Sequence, residues 1–317
     1  MQESSYMIVY PMDPTILKDP KKVLEPLVDN EKIKVKDIGY DEERGMILEF
    51  AIDGAEYKAY IDPVEMEIPS FVRPAQVFTE EESEKLNNAK AGLSVTIDYE
   101  GDNNRCFHDQ LRLIDVLFPD ILAVLDCPSE KLLSGKWISL AAKSSTHPAP
   151  RYLFTVQAIS DNGDEVWLHT HGLKRCGLYE LEVLCSNKKA FNDHYKMIES
   201  FAVRMLEHAE DDPIEPGDAV FIGMAEDREL VLTAVDWREA LEYFGLVKEE
   251  RVCEEEDIFA RLKLLMPDLT PLIDSLAVDE EVVRFVSKAE NRKDWKRLFL
   301  SLVDWKWSNR VGELQVK

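Results

Sequence analysis

One short stretch of the chain concentrates the residues able to do chemistry: His169, His171, Arg175, Cys176, Glu180 and Glu182. Residues two apart on a strand point to one face, so His169 and His171 can act as a pair. A carboxylate from the following strand, Glu180 or Glu182, would be a third ligand. A zinc-type centre needs three or four such donors. Gly172 and Gly177 interrupt the strand and leave the direction of His171 open. No second histidine-rich motif completes the set, although His147, in the loop Ser144–Pro150, could reach it. Cys176 offers a different chemistry. Lys174 and Arg175 beside it would favour the thiolate, and His169 or His171 could act as its base. The local signatures of cysteine hydrolases are missing. The plain alternative is a strand end whose histidines bond to backbone or water and whose sulfur packs as a small apolar group.

Other candidates carry less. His108 and Asp109 are adjacent and do not face each other on a helix. His194 falls on an apolar helix face and reads as a core histidine bonded to backbone. His208, near a helix C-terminus, suits the dipole there. In Trp305-Lys306-Trp307 neighbouring side chains lie about 100° apart on a helix, so one indole, Trp307, is a candidate contact for a partner or a second protomer. Neither GxxxxGK nor GxGxxG occurs, so no nucleotide cofactor is expected. No catalytic, cofactor-binding or metal-ligating residue is assigned.

The elements that must position the His169–Glu182 stretch form a meander. Strands are expected at 151–160, 164–170 and 178–184, with Asp161-Asn162-Gly163 as the first turn. Upstream, Tyr6–Tyr10 reads as a strand and is followed by a Pro-interrupted helix to Val28 with Val23, Leu24, Leu27 and Val28 apolar. Ile33–Tyr40, Met46–Ile52 and Tyr57–Ile61 complete a βαβββ module, and Pro63, Pro69 and Pro74 mark a linker. Thr79 caps a helix, with Glu82 at its third position. Leu93–Tyr99, a helix capped by Asn103 or Asn104 and running to Phe118, and Ile121–Leu125 make a crossover whose strands should be parallel. Trp137–Ala142 reads as a strand. A helix spans Asn187–His208, strands follow at Ala219–Met224 and Leu230–Val235, and Asp236 opens a helix to Phe244. From Glu254 onward three apolar stripes predict helices, the last on Trp295, Leu298, Phe299, Leu302 and Val303.

The 317 residues suit about two domains. The start lacks a basic n-region, so no signal peptide is expected, and no segment approaches the ~20 apolar residues of a membrane span. Five scattered cysteines suit a reduced, cytoplasmic protein. The net charge of −24 is uneven: −15 over residues 1–130, +1 over 131–187 and −10 over 188–317. Nucleic acid needs clustered Lys and Arg and is not an expected ligand. An acidic shell attracts a basic protein instead.

The run Trp167-Leu168-His169-Thr170-His171-Gly172-Leu173, with Arg175-Cys176-Gly177-Leu178 and Glu180-Leu181-Glu182-Val183, resembles an elbow of the form Thr-x-Gly-Leu-x-x-aromatic-Gly-x-x-Glu-apolar-Glu-apolar. That elbow occurs in a group of uncharacterised bacterial proteins that are compared with suppressor-of-fused-like immunity domains. His108-Asp109-Gln110-Leu111, Leu117-Phe118-Pro119-Asp120 and Ala123-Val124-Leu125-Asp126 fit the same pattern. Cys176 departs from it, standing where an aromatic is usual. The resemblance implies a non-enzymatic α+β binding protein and carries over no catalytic residue.

The sequence therefore predicts an α+β protein: a small N-terminal βαβββ module and linker (1–75), a larger mixed-sheet domain (76–250) and a helical region packed on it (251–317). The leading function is a cytoplasmic protein-binding module of immunity or antitoxin kind with a basic protein partner. The first alternative is a metal- or Cys-dependent hydrolase at His169, His171 and Cys176, with Gly172, Arg175, Glu180 and Glu182 around them. The second is a structural homo-oligomer.

Overall fold

The structure, a computed structural model, describes residues 4–209 except 29, 43–44, 71, 161–164 and 190, and beyond them the strands at 219–225, 228–236, 286–287 and 300–303. By contacts the chain divides into one unit of Met1–Thr155 with Arg175–Gly177, and a second unit of Val156–Lys174 with Leu178–Lys317.

The first unit is built on eight strands: β1 (Ser5–Pro11), β2 (Ile33–Asp41), β3 (Gly45–Ile52), β4 (Ala55–Val64), β5 (Arg73–Pro74), β6 (Gly92–Ile97), β7 (Ile121–Asp126) and β8 (Lys131–Ser134). Their order is β2-β3-β4-β6-β1-β7-β8-β5, antiparallel except for β5 on β8. The sheet draws strands from both sides of position 75. The crossover strands β6 and β7 do run parallel, because each is antiparallel to β1, but β1 lies between them. A continuous apolar run such as Met7-Ile8-Val9-Tyr10 suits this central place, where both faces are covered. Ile8 and Tyr10 pack with Leu86 of α1 (Glu80–Asn87), while Met7 and Val9 alternate to the opposite face.

The α1 capping box is as expected, with Thr79 and Glu82 satisfying each other's backbone N–H groups. Helix α2 (Asn103–Leu117) is capped by Asp102 rather than by Asn103 or Asn104: its carboxylate accepts from Asn104 N and Arg105 N. The stretch expected as a strand at Trp137–Ala142 is instead α3 (Gly135–Lys143). Ser134 caps it by accepting from Trp137 N, and its buried residues Gly135, Ile138 and Ala142 recur at helical spacing. A Cβ at Gly135 would lie 1.8 Å from Ile121 O, so only glycine lets this helix start so close to β7. The segment expected as one helix near 13–28 is two 3₁₀ turns, Pro14–Lys18 and Pro20–Leu27, in which Val23, Leu24 and Leu27 are buried and Val28 is exposed.

The second unit carries β9 (Thr155–Ile159), β10 (Glu165–His171), β11 (Glu180–Asn187), α4 (Phe191–His208), β12 (Ala219–Ala225), β13 (Arg228–Asp236), β14 (Val286–Ser287) and β15 (Leu300–Val303). The sheet order is β12-β13-β15-β11-β10-β9, with β14 on β13. The three-strand meander is thus present, and α4 buries Ile198, Phe201, Ala202, Met205 and Leu206 as its periodicity predicts, together with Met197. The end of the stripe expected as helical at 295–303 is strand β15, which pairs β11 antiparallel and β13 parallel. A short apolar run fits a buried strand as well as a helix by pattern alone. Val286–Ser287, in the C-terminal region expected as helical, is strand β14, while Trp307, the helix expected from Asp236 to Phe244 and the rest of the C-terminal helices lie outside the described residues.

Candidate functional site

The elbow is held together by one carboxylate. His171 ends β10, Gly172 turns the chain at φ +113°, a 3₁₀ turn spans Leu173–Cys176, and Gly177 at φ +75° leads towards β11. Glu180 accepts from Thr170 Oγ1 (2.7 Å), Gly172 N (2.7 Å) and Lys174 N (3.2 Å), and is fully buried. Burial pushes its carboxyl up to about 7, against the pull of these donors. Glu182 accepts from Trp167 Nε1 at 3.0 Å. His169 stacks on Trp167 with ring centroids 4.1 Å apart and meets His171 edge-on at 4.7 Å, so the two imidazoles are brought together as the strand period requires. Burial lowers both, His171 to about 3 and His169 well below the usual value, with the neighbouring His171 adding to the latter. Both are therefore neutral near pH 7. Neither ring nitrogen of His169 has a hydrogen-bond partner. Among the described residues no group of three or more His, Cys, Asp and Glu is placed to hold a metal ion.

Arg175 and Cys176 belong to the first unit, His169 and His171 to the second. Arg175 is fully buried and forks onto Asp126. It also donates to Ser5 Oγ (3.2 Å) and Leu153 O (2.6 Å), over the rings of Phe107 and Tyr99. Burial alone would lower its basicity, but Asp126 raises it. Its charge is thus committed to Asp126, and Cys176 is a buried thiol outside any disulfide. His147 does not extend the elbow set: its Nδ1 lies 3.0 Å from Nδ1 of His108. His194 Nδ1 lies 2.8 Å from Ser186 Oγ.

A concave site lies elsewhere, wholly within the first unit. A cavity of about 560 Å³ opens between β2, β3, β4 and the start of α2. Phe50 and Tyr57, directly opposite on β3 and β4, stack at 5.5 Å in its wall. Tyr57 OH donates to Asp109 Oδ2 at 2.7 Å, and burial, then this bond, raises the phenol's pKa. Five carboxylates line the cavity: Glu49, Glu56, Asp98, Glu100 and Asp102. Three cations share it. Lys36 pairs with Glu56, Lys58 with Glu49, and Arg105 with Asp109. No Lys or Arg ion pair of the described residues uses Asp98, Glu100 or Asp102. Asp98 accepts from Ser4 Oγ, and Asp102 caps α2. The sequence does carry one trace of this groove, the alternating Asp98, Glu100, Asp102 between a strand and a helix. Its other residues come from separate segments of a chain with 62 acidic residues, where no single pair stands out.

Fold and site together define a two-sheet α+β protein with a concave acidic groove. The models for the N-terminal and C-terminal parts of the family "Protein of unknown function (DUF4026)" match residues 5–148 and 156–265, and the chain belongs to that family. The gap between the two matches falls where the chain divides, at Thr155–Val156. No curated protein and no solved structure matches the chain.

Proposed function

We propose that this chain is a bacterial, cytoplasmic protein-binding module of immunity or antitoxin kind, and that a basic segment of its partner seats in the groove of the first unit. The observation that carries this reading is the set Asp98, Glu100 and Asp102, three groove carboxylates that no Lys or Arg of the described residues neutralises. A concave wall with an exposed carboxylate rim and the half-buried ring of Tyr57 suits a guanidinium or ammonium group, which gains from both. The net charge of −24 would draw such a partner in over distance. Cys106, Cys127 and Cys176 stand outside any disulfide, which suits a reducing compartment.

The test is a titration of the full chain with a fluorescent arginine-rich peptide and with its Glu-substituted counterpart, read by anisotropy. The reading expects binding of the first alone, weakening steeply as salt rises. Equal binding of the two, or none at low salt, would overturn it.

A further inference from the structure

A second cluster lies on α2 and the loop after α3, at His108 and His147. His108 is buried on α2 and its Nε2 lies 2.9 Å from Ala141 O. A carbonyl only accepts, so Nε2 carries the proton and Nδ1 presents its lone pair. That lone pair faces Nδ1 of His147, 3.0 Å away, on an exposed loop side chain. The rings stand nearly perpendicular, at 77°. Two imidazole nitrogens thus converge, one with its tautomer fixed by a carbonyl, which is how protein metal sites orient their histidines. Nitrogens bound about 2.0–2.1 Å from a metal at right angles to each other lie about 2.9 Å apart, close to the observed separation.

The geometry points to a two-histidine site for a tetragonal divalent ion, Cu²⁺ or Ni²⁺, bound by His108 Nδ1 and His147 Nδ1 with water completing the sphere. Imidazole suits these ions. In the metal-free protein His147 Nδ1–H donates to His108. On binding, that proton moves to Nε2 of the same exposed ring, both imidazoles stay neutral, and no redox partner is needed. Arg112, one turn on along α2, is already engaged by Asp53 (2.7 Å) and Asp109 (3.0 Å).

The test is titration of the full chain with Cu²⁺, followed by electron paramagnetic resonance and visible absorption. One equivalent should give a tetragonal signal with hyperfine coupling to two imidazole nitrogens, and His147→Ala should lose it. Because His147 is exposed, that variant keeps the fold. His194→Ala and His208→Ala should retain the signal. Binding that survives His147→Ala, or a wild-type signal without two-nitrogen coupling, would overturn the assignment.

Discussion

Arg175 and Asp126 meet in a two-point ion pair sealed from solvent. Nη1 lies 2.6 Å from Oδ1 and Nη2 lies 2.9 Å from Oδ2, and both side chains have no exposure. Ser129 also donates to Asp126, and Ser5, Tyr99 and Gln110 continue the buried network. Arg175 therefore meets an anion that a buried hydrogen-bond network already holds in place.

Breaking this pair from one side leaves the other charge buried and alone. Arg175→Met or Asp126→Leu should each cost about 3–5 kcal/mol of stability, whereas the double variant should recover much of the loss. Urea denaturation of the three proteins checks this. Additive losses would show that the two side chains do not act as a unit.

Glu180 makes a separate, pH-dependent prediction. Its folded pKa of about 7 lies above the ordinary 4.5. The folded state therefore favours the protonated acid. Its contribution is full below pH 4.5 and is lost as pH rises through about 7. Glu180→Gln carries no such titration. Whatever its fixed offset, the variant should gain on wild type across pH 4.5–7. Melting temperatures of the pair over this window test the slope, and parallel curves would contradict it.

The buried histidines act in the opposite direction. Their folded pKa values are depressed, so the stability they contribute is present above the ordinary 6.5 and lost as pH falls below it. His169 stacks on Trp167 with neither nitrogen hydrogen-bonded. His169→Phe should keep the stacking, match or exceed wild-type stability near pH 7, and reduce the loss below pH 6. A large loss near neutrality would mean that the imidazole nitrogens have a role the geometry does not reveal.

Much of the fold was legible in the sequence where period and caps agree. The α1 capping box, the apolar stripe of α4 and the His169–Glu182 elbow between two strands were all readable. Trp137–Ala142 was misread because a short apolar run does not separate strand from helix; Ser134 as cap and Ile138 with Ala142 at i, i+4 were the better guide. The elbow's neighbours were visible, but their roles were not. Whether Arg175 activates Cys176 or pairs with Asp126 depends on a residue 49 positions away. The groove was least legible, because its carboxylates meet only once β3, β4 and α2 are assembled.

The central claim is that Asp98 and Glu100 draw a basic segment into that groove. The most direct measurement is the salt dependence of arginine-rich peptide binding to wild type and to the Asp98→Asn/Glu100→Gln variant. Exposed ion pairs contribute about 0.2–1 kcal/mol each, so the variant should bind roughly twofold to thirtyfold more weakly at low salt and show a shallower salt slope. Identical affinity and slope for the two proteins would contradict the account.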